Sequence, residues 1–124
     1  AKSIIEAVKS FGEEIQLFVP YGSIIAQLAE SEGVQIKYEG FADRAYQDDL
    51  QLVSRAQAGA VLHETKEIYK HVSNMLNDRQ VVALSGKSYT IAVNTICVHG
   101  DNPEAVEIVK FLLEKLTTEG IKVK

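Results

Sequence analysis

Two short stretches hold residues able to do chemistry. The first is Phe41-Ala42-Asp43-Arg44-Ala45-Tyr46, followed by Asp48, Asp49 and Arg55. A carboxylate beside a guanidinium can hold a polar substrate or set the carboxylate's charge state. The same two residues can equally form an ion pair that does no more than tie down a loop. The second stretch is His99-Gly100-Asp101. An imidazole and a carboxylate two residues apart, with a glycine permitting a tight turn, suit general acid/base work or metal ligation. The plainer alternative is that Asp101 or Asn102 caps a following helix. Other candidates fall away. Gly86-Lys87-Ser88 has the ending of a phosphate loop, but Val81 stands where the leading glycine belongs and a strand follows where a helix is needed. His63 and His71 are isolated, and His71 on an amphipathic helix is expected to be solvated. Cys97, within Ile96-Cys97-Val98, reads as a core residue. No Gly-x-Ser-x-Gly elbow occurs, so a serine hydrolase lacks support.

The elements that must position these residues alternate between strand and helix. Ser3 and Glu6 form a capping-box pattern ahead of a helix carrying Ile4, Ile5, Val8 and Phe11. A short apolar run over 15–19 predicts a buried strand, broken by Pro20 and Gly22. Ser23 then caps a second helix that Gly33 closes. The alternation of Val34, Ile36 and Tyr38 with polar neighbours predicts a strand over 34–42. Residues 43–59 are polar without helical period, and a loop that long is usually functional or disordered. Thr65 caps a helix to about 78, with Ile68, Val72, Met75 and Leu76 inward. Runs over 81–84 and 89–93 flank Ser85-Gly86-Lys87-Ser88 as a hairpin. A buried strand follows over 95–99, then a helix from Asn102-Pro103 to about 119, and a last short strand over 121–123. Apolar strands alternating with helices mean a parallel sheet covered by helices, either doubly wound or a barrel segment. Both plans put Asp43 and His99 at strand C-terminal ends, where such folds carry their reacting groups.

Composition bounds the function. The chain has 124 residues, 46% of them hydrophobic, enough for one domain or part of one. A net charge of −4 argues against nucleic acid or an anionic membrane as partner. No apolar run approaches the roughly 20 residues of a spanning helix, and no export signal is evident. With a single cysteine there is no internal disulfide, and a cytoplasmic protein is the expectation.

Several segments together carry a resemblance. Phe41-Ala-Asp-Arg-Ala-Tyr46, Asp48-Asp49, Leu52-Val-Ser-Arg55, Gly59-Ala-Val-Leu-His63 and Thr95-Ile-Cys-Val-His-Gly-Asp101 resemble, in order and spacing, the signature stretches of the LamB/YcsF (lactam-utilisation) family. The resemblance implies a parallel-strand (β/α) barrel of the glycoside hydrolase/deacetylase type, present here as about half a barrel with a hairpin insertion. It implies a component of ATP-dependent 5-oxoprolinase, which acts with subunits B and C to open 5-oxo-L-proline to L-glutamate. ATP, with Mg as its counter-ion, would be the nucleotide; a protein-bound metal is left open. On this likeness Asp43, His99 and Asp101 are expected to be catalytic, and Arg44, Tyr46 and Arg55 to bind substrate. Two positions depart from the family pattern. Leu50 stands where glycine is common, so the loop after Tyr46 is expected to run differently, and Gly40 stands where valine is common. The family's N-terminal segments Asp-Leu-Asn-Ala-Asp and Lys-Pro-His-Gly-Ala do not occur in this sequence. A closed barrel takes about 250 residues, so a fragment, or one chain of a split barrel needing the missing N-terminal half, is expected. Rival expectations are a metal-dependent deacetylase-like hydrolase acting on carbohydrate, and a non-catalytic piece that only docks on partner subunits.

Overall fold

The register of one strand pair decides where the chemistry sits. In a computed structural model describing residues 1–12 and 14–124, strands β1 (Leu17–Pro20), β2 (Ile36–Phe41) and β5 (Thr95–Cys97) form a parallel sheet in the order β1-β2-β5. Phe41 lies opposite Cys97. Asp43 and His99 each follow two residues later, so the two-residue period of extended chain carries both beyond the same end of the sheet toward the same face. Between β2 and β5 run α3 (Thr65–Ser73), a π-helical turn (Asn74–Asp78), and the antiparallel hairpin β3 (Gln80–Val82) and β4 (Ser88–Thr90). Helices α1 (Lys2–Phe11) and α2 (Ile24–Ser31) flank β1, and α4 (Ala105–Thr118) follows β5. The parallel strands and the hairpin insertion are those expected from the sequence.

The main core forms where α3 and α4 pack together and against the sheet. Ile68 and Val72 on α3 meet Ile108, Leu112 and Leu116 on α4, with Ala42 and Ile96 completing the contact. These are four-residue spacings that stack side chains on one helix face. A second cluster joins Tyr46, Met75, Val81 and Ile91, tying the hairpin to the loop after β2. Gly40, in β2, lies where Val93 closes over the strand. A Cβ there would come within 2.7 Å of Val93 Cγ1 and 3.1 Å of Met75 Sδ. Gly40→Ala is therefore expected to destabilise the protein by about 1–3 kcal/mol through overpacking. Val93→Ala in the same chain should recover part of that loss, as measured by urea unfolding.

The segment 43–62 is ordered by its own backbone. Ala45 N donates to Ala60 O at 3.0 Å, Val53 N to Ala45 O at 3.0 Å and Leu62 N to Asp43 O at 2.9 Å. Leu50 adopts φ 65°, the left-handed conformation that glycine takes freely. That conformation costs a leucine about 1–2 kcal/mol. Its side chain packs against the Tyr46–Met75 cluster, which, with glycine's own entropic cost, offsets most of the strain.

Several local expectations are corrected. The Ser3–Glu6 capping box does not form, because α1 begins at Lys2 with Ala1 as its cap. Thr65 is the first residue of α3, not its cap; Glu64 holds that place and makes no side-chain cap bond. Residues 121–123 form no strand. Ser23 does cap α2, its hydroxyl accepting from Ala26 N at 3.2 Å.

His71, expected to be solvated, is buried at 9% exposure, because it falls beside Val72 on the core side of α3. Among the described residues its Nε2 has no hydrogen-bond partner. Burial pulls its pKa down, outweighing the nearby carbonyls of Phe41 and Arg44, which favour a proton. Unfolded, this histidine takes a proton near pH 6.5; folded, it does so only at lower pH. The stability it contributes is present above that value and is lost as pH falls through the folded pKa. Urea midpoints followed downward from pH 7 should fall less steeply in His71→Leu than in the parent chain.

Candidate active site

Asp43 stands just past the end of β2, 1% exposed, and its carboxylate is fully occupied. Oδ1 lies 2.8 Å from His99 Nδ1, while Oδ2 accepts His99 N at 3.2 Å and Asn102 Nδ2 at 3.3 Å. A carboxylate beside Nδ1 assigns the proton of neutral His99 to that nitrogen and leaves Nε2 unprotonated. The imidazole side chain is 23% exposed. Phe41 stacks on it with ring centroids 5.5 Å apart and planes 16° from parallel. A buried acid thus orients a half-open imidazole, and one apolar ring fixes its plane. This arrangement can take a proton from a bound water and return it to a leaving group.

The cavity over this pair, about 190 Å³, is lined by Asp43, Arg44, Arg55, Val61, His63, His99, Asp101, Asn102 and Pro103. Its rim carries two polar bridges between the 43–63 segment and the β5–α4 segment. Arg55 Nη1 pairs with Asp101 Oδ2, both about half exposed, and each group reinforces the other's charge: Asp101 is held below the usual carboxylate range, and Arg55 is raised. His63 Nδ1 lies 3.4 Å from Glu104 Oε2. A larger hollow of about 480 Å³ between α3 and the hairpin includes His71 but none of the Asp43–His99 group. Converging titratable groups, not volume, identify the smaller cavity as the site.

Of the residues singled out from the sequence, Asp43, Arg44, Arg55, His99 and Asp101 meet at this cavity, and Tyr46 does not. Asp43 and Arg44 do not form an ion pair with each other. Arg44 is buried, and its guanidinium donates to Val53 O at 2.7 Å and Ala60 O at 3.3 Å. Tyr46 is buried with the hairpin cluster; its hydroxyl accepts Phe41 N at 2.9 Å, and burial pushes its pKa up to about 12. Neither Asp101 nor Asn102 caps α4: Glu104 holds that place without a side-chain cap bond, Asp101 faces Arg55, and Asn102 Oδ1 closes the turn ahead of the helix by accepting Glu104 N at 3.1 Å. Cys97 is half-buried, and burial together with Glu39 and Asp43 raises its thiol, which disfavours a thiolate.

His63 and Asn102 are site residues that sequence reasoning passed over. His63 reaches the cavity because Val61 bridges back to Arg44, a pairing that no local period announces. Asn102 was visible only as a capping candidate. Among the described residues no group of three or more His, Cys, Asp or Glu is placed to hold a metal ion. Nor, among them, is any helix long and apolar enough to cross a membrane.

Comparison with known proteins agrees with this fold. The model of the LamB/YcsF family matches residues 1–124. The chain is 40% identical over 123 residues to the A subunit of 5-oxoprolinase from Pyrococcus furiosus, and 42% identical over 123 residues to that from Nitrobacter winogradskyi. Each match covers 99% of this chain and 48% of the relative, so the chain spans about half the length of these proteins. The crystal structure of a lactam utilization protein from Thermus thermophilus superposes with a TM-score of 0.91 at 28% identity, covering 99% of this chain and 49% of that one.

Proposed function

The chain belongs to the LamB/YcsF family, and on that premise we propose that it supplies one half of the catalytic barrel in the A subunit of a 5-oxoprolinase. Together with subunits B and C, that barrel opens 5-oxo-L-proline to L-glutamate at the expense of ATP. The observation that carries the reading is the Asp43–His99 pair on the floor of one cavity, in a chain whose relatives bear that name. A five-membered lactam resists water because resonance stabilises its amide. Phosphorylation of the amide oxygen by ATP, with Mg as counter-ion, would relieve that resonance. His99 Nε2 takes a proton as the water oxygen bonds to the carbonyl carbon and returns it to the ring nitrogen as the C–N bond breaks, leaving γ-glutamyl phosphate, which a second water cleaves to glutamate and inorganic phosphate. Asp43 holds the imidazole in the tautomer that makes this possible and stabilises its charged form.

The remaining residues take roles that follow from their partners. Arg55 is the guanidinium able to receive the substrate carboxylate. It would exchange Asp101 for it at little cost, since a solvent-exposed ion pair is weak. Asp101, once released, faces the same cavity and can orient water. Arg44 is already engaged by two carbonyls and holds the loop in place. Tyr46 supports Phe41, and through it the stacked imidazole.

The reading also requires a complementary half of the barrel. Among the described residues the outer edges of β1 and β5 are unpaired in the sheet, and α4 turns Val106, Val109 and Leu113 outward at 66%, 49% and 50% exposure. Such a stripe opposite a buried one is what a second apolar partner would cover. The test is glutamate release from 5-oxo-L-proline by this chain combined with the complementary half and subunits B and C, with and without ATP. Release that depends on ATP and on this chain supports the reading; none from the complete set removes it.

A further inference from the structure

We infer that Asn102 is a positioning residue for the Asp43–His99 pair and not simply the closure of the turn ahead of α4, an inference that rests on that pair being the site's proton carrier. Asn102 is 7% exposed, one of four buried polar or charged residues among those described. The two ends of its amide do separate work. Oδ1 accepts Glu104 N at 3.1 Å, which closes the turn ahead of α4. Nδ2 donates to Asp43 Oδ2 at 3.3 Å, which is not. Turning the amide over would set oxygen against carboxylate and NH2 against the Glu104 N–H, so the bonding fixes its orientation.

The consequence lies in how Asp43 shares its oxygens. Oδ2 is taken by two donors, His99 N–H and Asn102 Nδ2. That fixes the carboxylate's plane and leaves Oδ1 for the imidazole. Without Asn102 the carboxylate keeps only His99 contacts, and both groups can turn together. The main chain closes the unit: Asn102 N donates to His99 O at 3.1 Å, so the residue that pins the acid is also bound to the base. The charged or titratable groups around the cavity that holds His99 are Asp43 after β2, Arg44, Arg55 and His63 from the 43–63 segment, and Asp101 ahead of α4, with Glu104 paired to His63. Of these only Asp43 bonds its ring.

Aspartate closes a turn of this kind as asparagine does, so Asn102→Asp separates the two jobs. It keeps the Glu104 bond but replaces the donor facing Asp43 with an acceptor. Two carboxylates then meet, and the added negative charge favours the protonated imidazole. In the complete enzyme, kcat/KM should fall about 10–100-fold, a usual loss for a supporting residue. The fall should lie in kcat, with KM nearly unchanged and the acid limb of the pH profile moved to higher pH. The melting temperature should drop, because a second carboxylate is buried against Asp43, so the pH profile carries the test: Asn102→Ala, which loses both bonds without adding charge, should be slow with a smaller shift of that profile. Parent-like kcat/KM and pH profile in Asn102→Asp would reduce the residue to a turn former and overturn the inference. A readout without turnover keeps this apart from the functional reading: ¹⁵N NMR of the His99 ring in the chain itself. A displaced or broadened Nδ1–H signal in Asn102→Asp supports positioning even if no glutamate is ever released. An unchanged signal overturns it even if the parent enzyme is active.

Discussion

A His99→Gln chain, assembled with its complementary half and subunits B and C, is expected to release glutamate about 10²–10⁴-fold more slowly than the parent, the usual contribution of a positioned acid–base group. Glutamine is chosen because it fills similar space beneath the Phe41 ring, and its amide can still donate toward Asp43. The buried carboxylate therefore keeps a partner, and the fold should hold. The melting temperature should stay within a few degrees of the parent, so the lost rate reports chemistry and not unfolding. KM should change little, because Arg55, and not the imidazole, is assigned to the substrate carboxylate. Unimpaired glutamate release would mean that the proton is carried elsewhere, and His63 on the cavity rim would be the next group to test.

The Asp43→Asn chain should fail on two counts. The parent carboxylate accepts from three donors, His99 N, His99 Nδ1 and Asn102 Nδ2. An amide offers one oxygen and one NH2, so either a buried donor is left facing another donor or the imidazole must change tautomer to accept. An unsatisfied buried group of this kind costs about 1–3 kcal/mol, visible as a lower urea midpoint. If the new NH2 turns toward Nδ1, it donates to that nitrogen and moves the imidazole proton to Nε2, the atom that must be free to accept one. Turnover should then fall at least as far as in His99→Gln, by about 10⁴-fold where an orienting acid of this kind is lost. The pattern across the two variants is diagnostic. Loss of rate with stability intact at position 99, and loss of both at position 43, matches an acid that orients and a base that reacts. Loss of stability alone at position 43 would leave the pair a structural contact.

Much of this site was legible before any coordinates. The apolar period of Ile68 and Val72, and of Ile108, Leu112 and Leu116, marks the inward faces of α3 and α4, and these residues form the core. The short apolar runs ending near Phe41 and Cys97 mark β2 and β5, and place Asp43 and His99 just beyond parallel strand ends. Residue type alone singled out the imidazole and the carboxylate. These inferences succeed because they depend on local periodicity, which each segment carries within itself.

What escaped the sequence are the pairings across long separations. Nothing near Arg44 says that its guanidinium will be taken by the carbonyls of Val53 and Ala60 instead of by Asp43. Nothing near Asp101 says that it will face Arg55 and leave the turn ahead of α4 to be closed by Asn102. His71 sits among lysines and glutamates on α3 and looks solvated, yet it is buried because the segment after β2 folds over it. His63 enters the cavity only through the bridge between Val61 and Arg44. By itself the sequence determined which elements form, which faces turn inward, and that an acid and an imidazole end up at neighbouring strand ends. Only the tertiary structure decided which donor meets which acceptor there. A hydrogen bond requires approach to about 3 Å in a defined direction, and that is settled by how distant segments pack, not by the residues flanking either partner.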